Sequence, residues 1–417
     1  MSQDHGDDGT QPHTLYGQAA ARIRADIAQQ RLPAHSKIPA EVTLAERYGV
    51  SRGTIIKALD MLVQQGIVYR RRPQGTFVAP DTTEGNTEDG MSSLRTQGRL
   101  PVMGMIVPYL HESFVGSIVL GAETVTRAAG YGLIFAHSEN DWALEQYHVN
   151  QMLRGGAAGI LIFPGNHAVK WQDGHLASAT EGARAEMLRS LQRDAIPFVL
   201  IDRYVPEIDC DYVVSDDQTA GYAATQHLID LGHRQISFIS TAPQVTSTAD
   251  RYAGYLQCLR AHNLPVDERL VLHRLRQTSP SSMPAGTPLP GVGHGDRALL
   301  SAYLRREDRS HAIVASNDYI AMRVFQVTDD VGLQVPDDVA VVCCGGGDIG
   351  AHARVPLTSI VQPAVDLGRQ AAHILLDRIA GRSSVIRHSV LPVSLVVRRS
   401  CGAAPRETPI TLLHEIS

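Results

Sequence analysis

Cysteine is scarce and unpatterned in this 417-residue chain. Cys210, Cys258, Cys343, Cys344 and Cys401 form no CxxC pair and no Cys/His zinc spacing. That pattern argues against a disulfide framework or a zinc site, and an odd, scattered set fits a reducing compartment. Long apolar runs are also missing: no stretch approaches the ~20 residues that a membrane span needs. The opening MSQDHGDDGTQPH is acidic and polar, unlike a secretion or transit signal, so a cytoplasmic location and no membrane partner are expected. Nor is there a Walker loop, a strand-linked GxGxxG, a GxSxG elbow or a metal constellation. No catalytic residue, metal or cofactor is therefore expected. What remains is a chain with 43% hydrophobic residues and a mean hydropathy of -0.10, long enough for two or three domains.

Charge divides the chain unevenly. Net charge is -5 overall, yet Leu15 to Pro80 carries ten Lys/Arg against four Asp/Glu, a local +6. A basic head on an acidic body is the asymmetry expected when one domain meets phosphate. Within the head, periodicity predicts helices over Leu15–Gln30, Ala40–Tyr48 and a third running to about Gln65, with Ser51 as its N-cap and Gly66 as its C-cap. Ile67–Arg71 and Thr76–Ala79 read as strands around Pro73-Gln74-Gly75. This is the outline of a helix-turn-helix followed by a β wing. The third helix is expected to offer Arg52, Thr54 and Lys57 to a DNA major groove. Arg71 and Arg72 on the wing are expected to meet phosphate or the minor groove. Lys37 and Glu41 at the entry to the second helix, with Gln74 and Gly75 at the wing tip, complete the expected DNA-binding set.

Asp81 to Pro101 is polar, has almost nothing to bury, and reads as a linker. From Val102 short apolar runs alternate with amphipathic helical stretches: VMGMIVP, YGLIFAHS, AAGILIFP, IPFVLIDR, DYVVSDD, QISFIST, HAIVASND and DVAVVCC. Apolar strands alternating with helices predict an α/β body whose parallel sheets are covered on both faces. Several strands end in a polar residue, namely Ser138, Asp202, Asp216 and Asn317. Ligands of open α/β sheets bind beyond the carboxyl ends of strands, so the pocket is expected there. Residues 167–182 and 277–296 read as surface insertions, and 402–417 as a tail.

The head resembles the winged helix of GntR-type regulators through IPAE, LAERYGVSRGTIIKAL and QGTFV. Val102 to Cys401 resembles the effector-binding domain of the LacI/galactose-repressor family, itself similar to periplasmic sugar-binding proteins. The marks are IDR at Ile201, HLIDLGHRQISFI from His227, RYAGY from Arg251, ASND from Ala315, GLQVPDDVAVV from Gly332, PLTSIVQP from Pro356 and LVVRRSC at Cys401. This pairing of modules is similar to that of the bacterial arabinose-repressor type. Lys57 stands where the GntR type usually has a second Arg, Pro73 where glycine is common, and Ala40 where a capping Ser is usual.

The resemblance implies two subdomains joined by three crossovers, with a sugar or nucleoside between them. The first would hold 102–217 and 363–384, the second 218–362 and 385–401. Asp202, Arg251, Asn317 and Gln362 would hydrogen-bond the effector, with Tyr109, Phe114, Ser138, Phe163 and Ser247 as walls. Asp318 reads as a helix N-cap and His233 as a turn residue. Where the family usually has Gly-Phe-Asp-Asp, this chain has Cys343-Cys344-Gly345-Gly346-Gly347-Asp348; Asp348 replaces the missing carboxylate only if the glycine-rich loop folds back. The implied activity is that of a repressor, a homodimer on double-stranded operator DNA whose grip changes when a small carbohydrate binds. The rival readings are a nucleoside- or purine-responsive regulator, a solute-binding protein, and an enzyme on an α/β scaffold.

Overall fold

The computed structural model describes residues 15–29, 36–64, 67–71, 75–78, 100–110, 113–165, 169–172, 175–178, 182–242, 245–276, 294–406 and 408–412. The chain divides into two compact units, 1–100 and 101–417. The expected linker, apart from Leu100 and Pro101, and residues 277–293 of the second expected insertion lie outside the described residues.

The head comprises α1 (Leu15–Gln29), α2 (Glu41–Tyr48), α3 (Arg52–Gln64) and an antiparallel pair, β1 (Val68–Arg71) and β2 (Gly75–Val78). Ala40 precedes α2 without any side-chain cap, an omission that costs about 1 kcal/mol. Gly49 ends α2 at φ +66, a left-handed backbone that glycine adopts freely. The chain then turns through Val50 to Ser51, whose Oγ accepts from the Thr54 amide and so caps α3. Ile23, Leu44, Ile55, Leu59, Leu62 and Val68 form one buried cluster that locks the three helices to the wing. Lys37 pairs with Phe77 beside β2 and widens the wing sheet.

The body has two lobes. Strands β3 (Val102–Val107), β4 (Gly132–His137), β5 (Ala157–Ile162), β8 (Phe198–Ile201), β9 (Tyr212–Ser215) and β15 (His388–Leu391) form the first sheet, ordered β15-β9-β8-β5-β3-β4 and parallel throughout. The second sheet runs β11 (Val271–Arg276), β10 (Ser237–Ala242), β12 (Ala312–Ala315), β13 (Ala340–Gly345), β14 (Thr358–Val361), β16 (Val393–Val396), β17 (Ile410–Leu412). Its last two pairings are antiparallel. The first lobe carries helices α4 (Ser113–Ala128), α5 (Trp142–Arg154) and α6 (Ala183–Arg193), and the second carries α7 (Asp217–Asp230), α8 (Thr246–Ala261), α9 (His294–Leu304), α10 (Asp318–Val331) and the short α11 (Asp348–Ala351). Helix α12 (Ala364–Ile379) returns to pack on α4. Within 167–182, β6 (Val169–Gln172) and β7 (His175–Ser178) form a hairpin.

Each lobe contains one helix pair in backbone contact. A Cβ on Gly221 of α7 would lie 1.8 Å from the Arg251 carbonyl oxygen, and one on Gly254 of α8 would lie 1.9 Å from that of Gln218. In the first lobe Gly121 of α4 and Gly368 of α12 are opposed in the same way, each 2.0 Å from a partner carbonyl. Any side chain at these four positions would drive the helices apart.

The chain crosses between lobes three times, around Asp216, Gln362 and Pro392. The third crossing lies later than the sequence suggests. Residues 388–391 pair in parallel with β9 and stay in the first lobe; only past Pro392 does β16 join the second. Within the expected tail, Ile410–Leu412 form β17 and join the second sheet by pairing with β16.

Candidate functional site

Helix α3 buries Ile55, Ala58, Leu59 and Leu62. At 100° per residue its opposite face is centred on Gly53 and Lys57, with Arg52 and Thr54 on either flank. Arg52, Gly53 and Lys57 are exposed, so the expected reading face is broader than a single row. Arg52 Nε and Nη2 both lie 3.1 Å from Glu41 Oε2. An exposed pair adds little stability, but it holds the guanidinium fork at the head of the helix. Glu41 thus acts on Arg52. The Thr54 hydroxyl, expected to be free for phosphate, lies 2.8 Å from Ser51 Oγ and is part of the cap. Lys37 is exposed beside the wing, and Gly75 opens β2. Arg72 and Gln74 lie outside the described residues, as does the Arg71 side chain.

In the body, the ends of both sheets face one cavity of about 640 Å³. Tyr109 follows β3, Phe163 follows β5, and Asp202 and Arg203 follow β8, all on the first lobe's wall. Arg251 and Ser247 of α8, Asn317 after β12, and Gln362 at a crossover supply the other side, with Phe114 at the start of α4. Ser138 does not reach the cavity. Strand β4 is the edge of its sheet, so its end lies beyond that of β3, and the Ser138 hydroxyl is buried against the Val107 carbonyl. The Asp348 side chain lies outside the described atoms, although Gly347 and Ile349 on either side of it line the cavity.

Asp202 is the most unusual of these residues. Its backbone is left-handed at φ +65 and its residue is only 4% exposed. Oδ2 is 3.6 Å from Arg203 Nε, longer than a charge-assisted hydrogen bond. Oδ1 has no hydrogen-bond partner among the described residues. Burial pushes this carboxyl above its ordinary range, opposed by the nearby charges of Arg203 and Arg251 and by the Gln362 amide. A buried, unpaired acceptor on strained backbone at the floor of a cleft is costly unless something fills it.

Arg251 is more constrained than its sequence suggests. Nε and Nη2 reach Asp217 Oδ1, while Nη1 donates to the carbonyls of Ser316 and Cys344 at 2.7 and 3.2 Å. The guanidinium therefore ties α7, α8 and the ends of β12 and β13 together before any ligand arrives. Burial pushes the Asp217 carboxyl up, opposed by Arg251, whose own charge Asp217 sustains against burial. Asn317 is also committed: its side chain accepts from the Ile320 amide and caps α10.

The cap at Asn317 corrects the assignment of Asp318. Its carboxylate instead accepts from the Gly346 and Gly347 amides at 3.2 and 2.7 Å and from the Cys343 thiol. A Cβ on Gly345 would come within 2.6 Å of that carboxylate, and one on Gly346, at φ +96, within 2.7 Å of Val361. The glycine run is thus what lets the loop fold over Asp318 and leaves an acid at the cavity wall. Cys343 and Cys344 are fully buried on opposite faces of β13, which keeps the two sulfurs apart.

Sequence reasoning missed Arg203, Asp217 and the stretch of α10 from Tyr319 to Asp329, much of which lines the cavity. The amphipathic pattern of α10 and the Asp216-Asp217 pair were the available signals. Among the described residues no group of three or more His, Cys, Asp or Glu is disposed to hold a metal. No helix among them is long and apolar enough to cross a membrane.

Residues 15–78 match the bacterial regulatory proteins of the gntR family, and residues 225–401 match the periplasmic binding protein-like domain. The chain is 27% identical over 403 residues to an arabinose metabolism transcriptional repressor of Halalkalibacterium halodurans, covering 94% of this chain and 98% of that protein. It is 28% identical over 388 residues to the protein of the same name from Geobacillus stearothermophilus, covering 92% and 97%. The transcription regulator CcpA of Lactococcus lactis shares the fold, with a TM-score of 0.60 and 24% identity over 72% of this chain and 99% of that one. The chain is a DNA-binding transcription regulator, not an enzyme, in which a gntR-family winged helix-turn-helix is joined to a periplasmic-binding-protein-like sensing body.

Proposed function

We propose that the protein is a cytoplasmic repressor that holds double-stranded operator DNA as a homodimer and releases it when a carbohydrate closes the interlobe cleft. The observation that carries this reading is the unpartnered Oδ1 of Asp202, buried between two lobes that also present Gln362 and Arg251. A sugar hydroxyl is a neutral donor of the right size to satisfy it, and the rings of Phe114 and Tyr109 suit the weakly apolar faces of a pyranose or furanose. The relatives' names, which concern arabinose metabolism and repression, point the same way.

On the DNA side, Arg52 and Lys57 read bases from α3, while Lys37, Thr54, Arg71, Arg72, Gln74 and Gly75 contact the backbone or approach it. Homodimerisation is supported by Ile134 and Phe135, exposed on the edge strand β4, and by Leu120 and Tyr147 on the flanking helices. Ligand changes DNA affinity only through its differential affinity for two states, and near-complete switching needs about 5.5 kcal/mol.

The test is fluorescence anisotropy of the full chain on duplexes from its own promoter region, titrated with pentoses and hexoses. A carbohydrate that weakens the complex, with the effect lost in Asp202→Ala, which removes the acceptor, is the expected result. An unchanged response in Asp202→Ala, or none to any carbohydrate, would overturn the proposal.

A further inference from the structure

Gly345 closes β13 on strand backbone, so its φ makes no demand for glycine. What forbids a side chain there is a single neighbour. The three atoms nearest to a Cβ built on Gly345 are Oδ2, Cγ and Oδ1 of Asp318, at 2.6, 2.7 and 2.9 Å. The first residue of α10 thus takes the place at the cavity wall that a side chain on β13 would fill.

The free bonding capacity of that carboxylate is at Oδ2. Asn317 performs the capping of α10. Asp318 Oδ1 accepts from the Cys343 thiol and the Gly346 amide, whereas Oδ2 accepts from the Gly347 amide alone among the described residues. An ionised carboxylate has about four acceptor sites, so one on Oδ2 stays open. A Cβ on Gly347 would lie 3.0 Å from this Oδ2 and 3.2 Å from the Ser113 hydroxyl of the first lobe. The open oxygen therefore stands where the lobes face each other. Asp329, the other acid on α10 at the cavity, pairs with Arg354. Asp318 is held by neutral donors instead, which fix its position without neutralising its charge.

We propose that Asp318 is a specificity-determining contact of the second lobe, its Oδ2 accepting from one hydroxyl of the carbohydrate while Asp202 Oδ1 on the first lobe accepts from another. Both groups only accept, so a molecule that draws the lobes together brings a donor to each. This rests on the reading of the cleft as a carbohydrate receptor.

Isothermal titration of the full chain with L-arabinose, D-xylose, D-galactose and D-glucose, and with the monodeoxy analogues of each sugar that binds, tests the assignment. Asp318→Ala is expected to weaken binding at least about tenfold, because a site built to hold a hydroxyl discriminates strongly against its loss. Removing one particular hydroxyl should cost the wild type a similar factor and cost Asp318→Ala less than about twofold, since the pair is already broken. A loop merely slackened by the substitution would leave that hydroxyl's contribution unchanged. Combining Asp318→Ala with Gly345→Asp refills the emptied space from β13, where the new side chain can accept the Gly347 amide in an Asx turn, and should restore affinity to within about threefold of wild type. Circular dichroism establishes that each variant is folded; should Asp318→Ala not fold, Asp318→Asn, of the same shape, takes its place. If the single variant binds as wild type does, if no hydroxyl loses its contribution in it, or if the refilled variant stays as weak, the assignment falls while the carbohydrate reading stands. If the wild type binds none of the four sugars, the carbohydrate reading falls, and the assignment with it.

Discussion

Arg251 and Asp217 form the buried joint of the sensing body: two guanidinium nitrogens each lie 2.7 Å from one carboxylate oxygen, and both residues are about 5% exposed or less. Removing one member leaves the other buried without its partner, which costs about 3–5 kcal/mol. Arg251→Ala is therefore expected to lower the urea midpoint of the body strongly. Arg251→Lys, which keeps the charge but loses the fork, should recover only part of it. A wild-type midpoint for the alanine variant would show that the guanidinium is not structural. Because of this role, loss of ligand response in Arg251→Ala does not by itself establish contact with ligand.

Asp202 offers the cleaner test of contact. Asparagine tolerates a positive φ better than most residues and carries no charge to desolvate. Since burial raises the Asp202 carboxyl, its contribution to stability is greatest in acid and falls as the group ionises. Asp202→Asn should melt above wild type at pH 8 in the absence of ligand, whereas Asp202→Ala, which removes the acceptor, should lose the ligand-induced rise in Tm. Differential scanning calorimetry at pH 5 and 8 measures both.

A second acid links the lobes. Tyr204, after β8, donates through its hydroxyl to Asp250 of α8 at 3.2 Å. Burial pushes Asp250 up to about 7, against the pull of that hydrogen bond and of Arg251 and with a small push from Asp216. A folded-state pKa above the unfolded one means stabilisation that is complete below about pH 4 and is lost as pH rises through about 7. The Tm of wild type minus that of Asp250→Asn should therefore fall between pH 5 and 8. A difference that stays flat would mean Asp250 does not titrate in this range.

In the head, Arg52→Ala should weaken binding to the specific duplex by about 1–3 kcal/mol while sparing nonspecific binding at low salt. Equal losses on both, read by anisotropy over a salt series, would make Arg52 a phosphate contact. Glu41→Gln is expected to change specific affinity much less, because the exposed pair only orients the fork.

Phe135 is 51% exposed on an edge strand. Phe135→Arg should shift the sedimentation coefficient of the protein from dimer to monomer at micromolar concentration. A sedimentation coefficient identical to wild type would remove this edge from the interface.

Much of this architecture is legible in residue order. Gly49, Ser51 and the apolar spacing of α3 mark the helix-turn-helix, because local caps and turns act through neighbours in sequence. The parallel sheets announce themselves through unbroken aliphatic runs such as Ala340–Val342. Of the four polar strand ends, Asp202 and Asn317 line the cavity, as do six further residues that only the family resemblance implies. The failures share a cause. Ser138 ends a strand as Asp202 does, but whether a strand lies at the edge or the middle of a sheet depends on pairings distant in sequence. The Asn317 and Asp318 roles were exchanged because a cap is decided by one dihedral, and the glycine loop that claims Asp318 lies almost 30 residues on. Arg251 reads as a ligand residue from its motif alone, since its partner Asp217 is 34 positions away.

The four opposed glycines bear on how a signal could travel. With backbone against backbone, neither α7–α8 nor α4–α12 has slack to slide, so each lobe is expected to move as a solid block. Flexing is thereby expected in three short connectors at Asp216, Gln362 and Pro392, of which Gln362 lines the cavity. A methyl group added at Gly221 would press on the Arg251 carbonyl and one at Gly368 on that of Ile118, so each would wedge its helix pair apart and loosen the block itself.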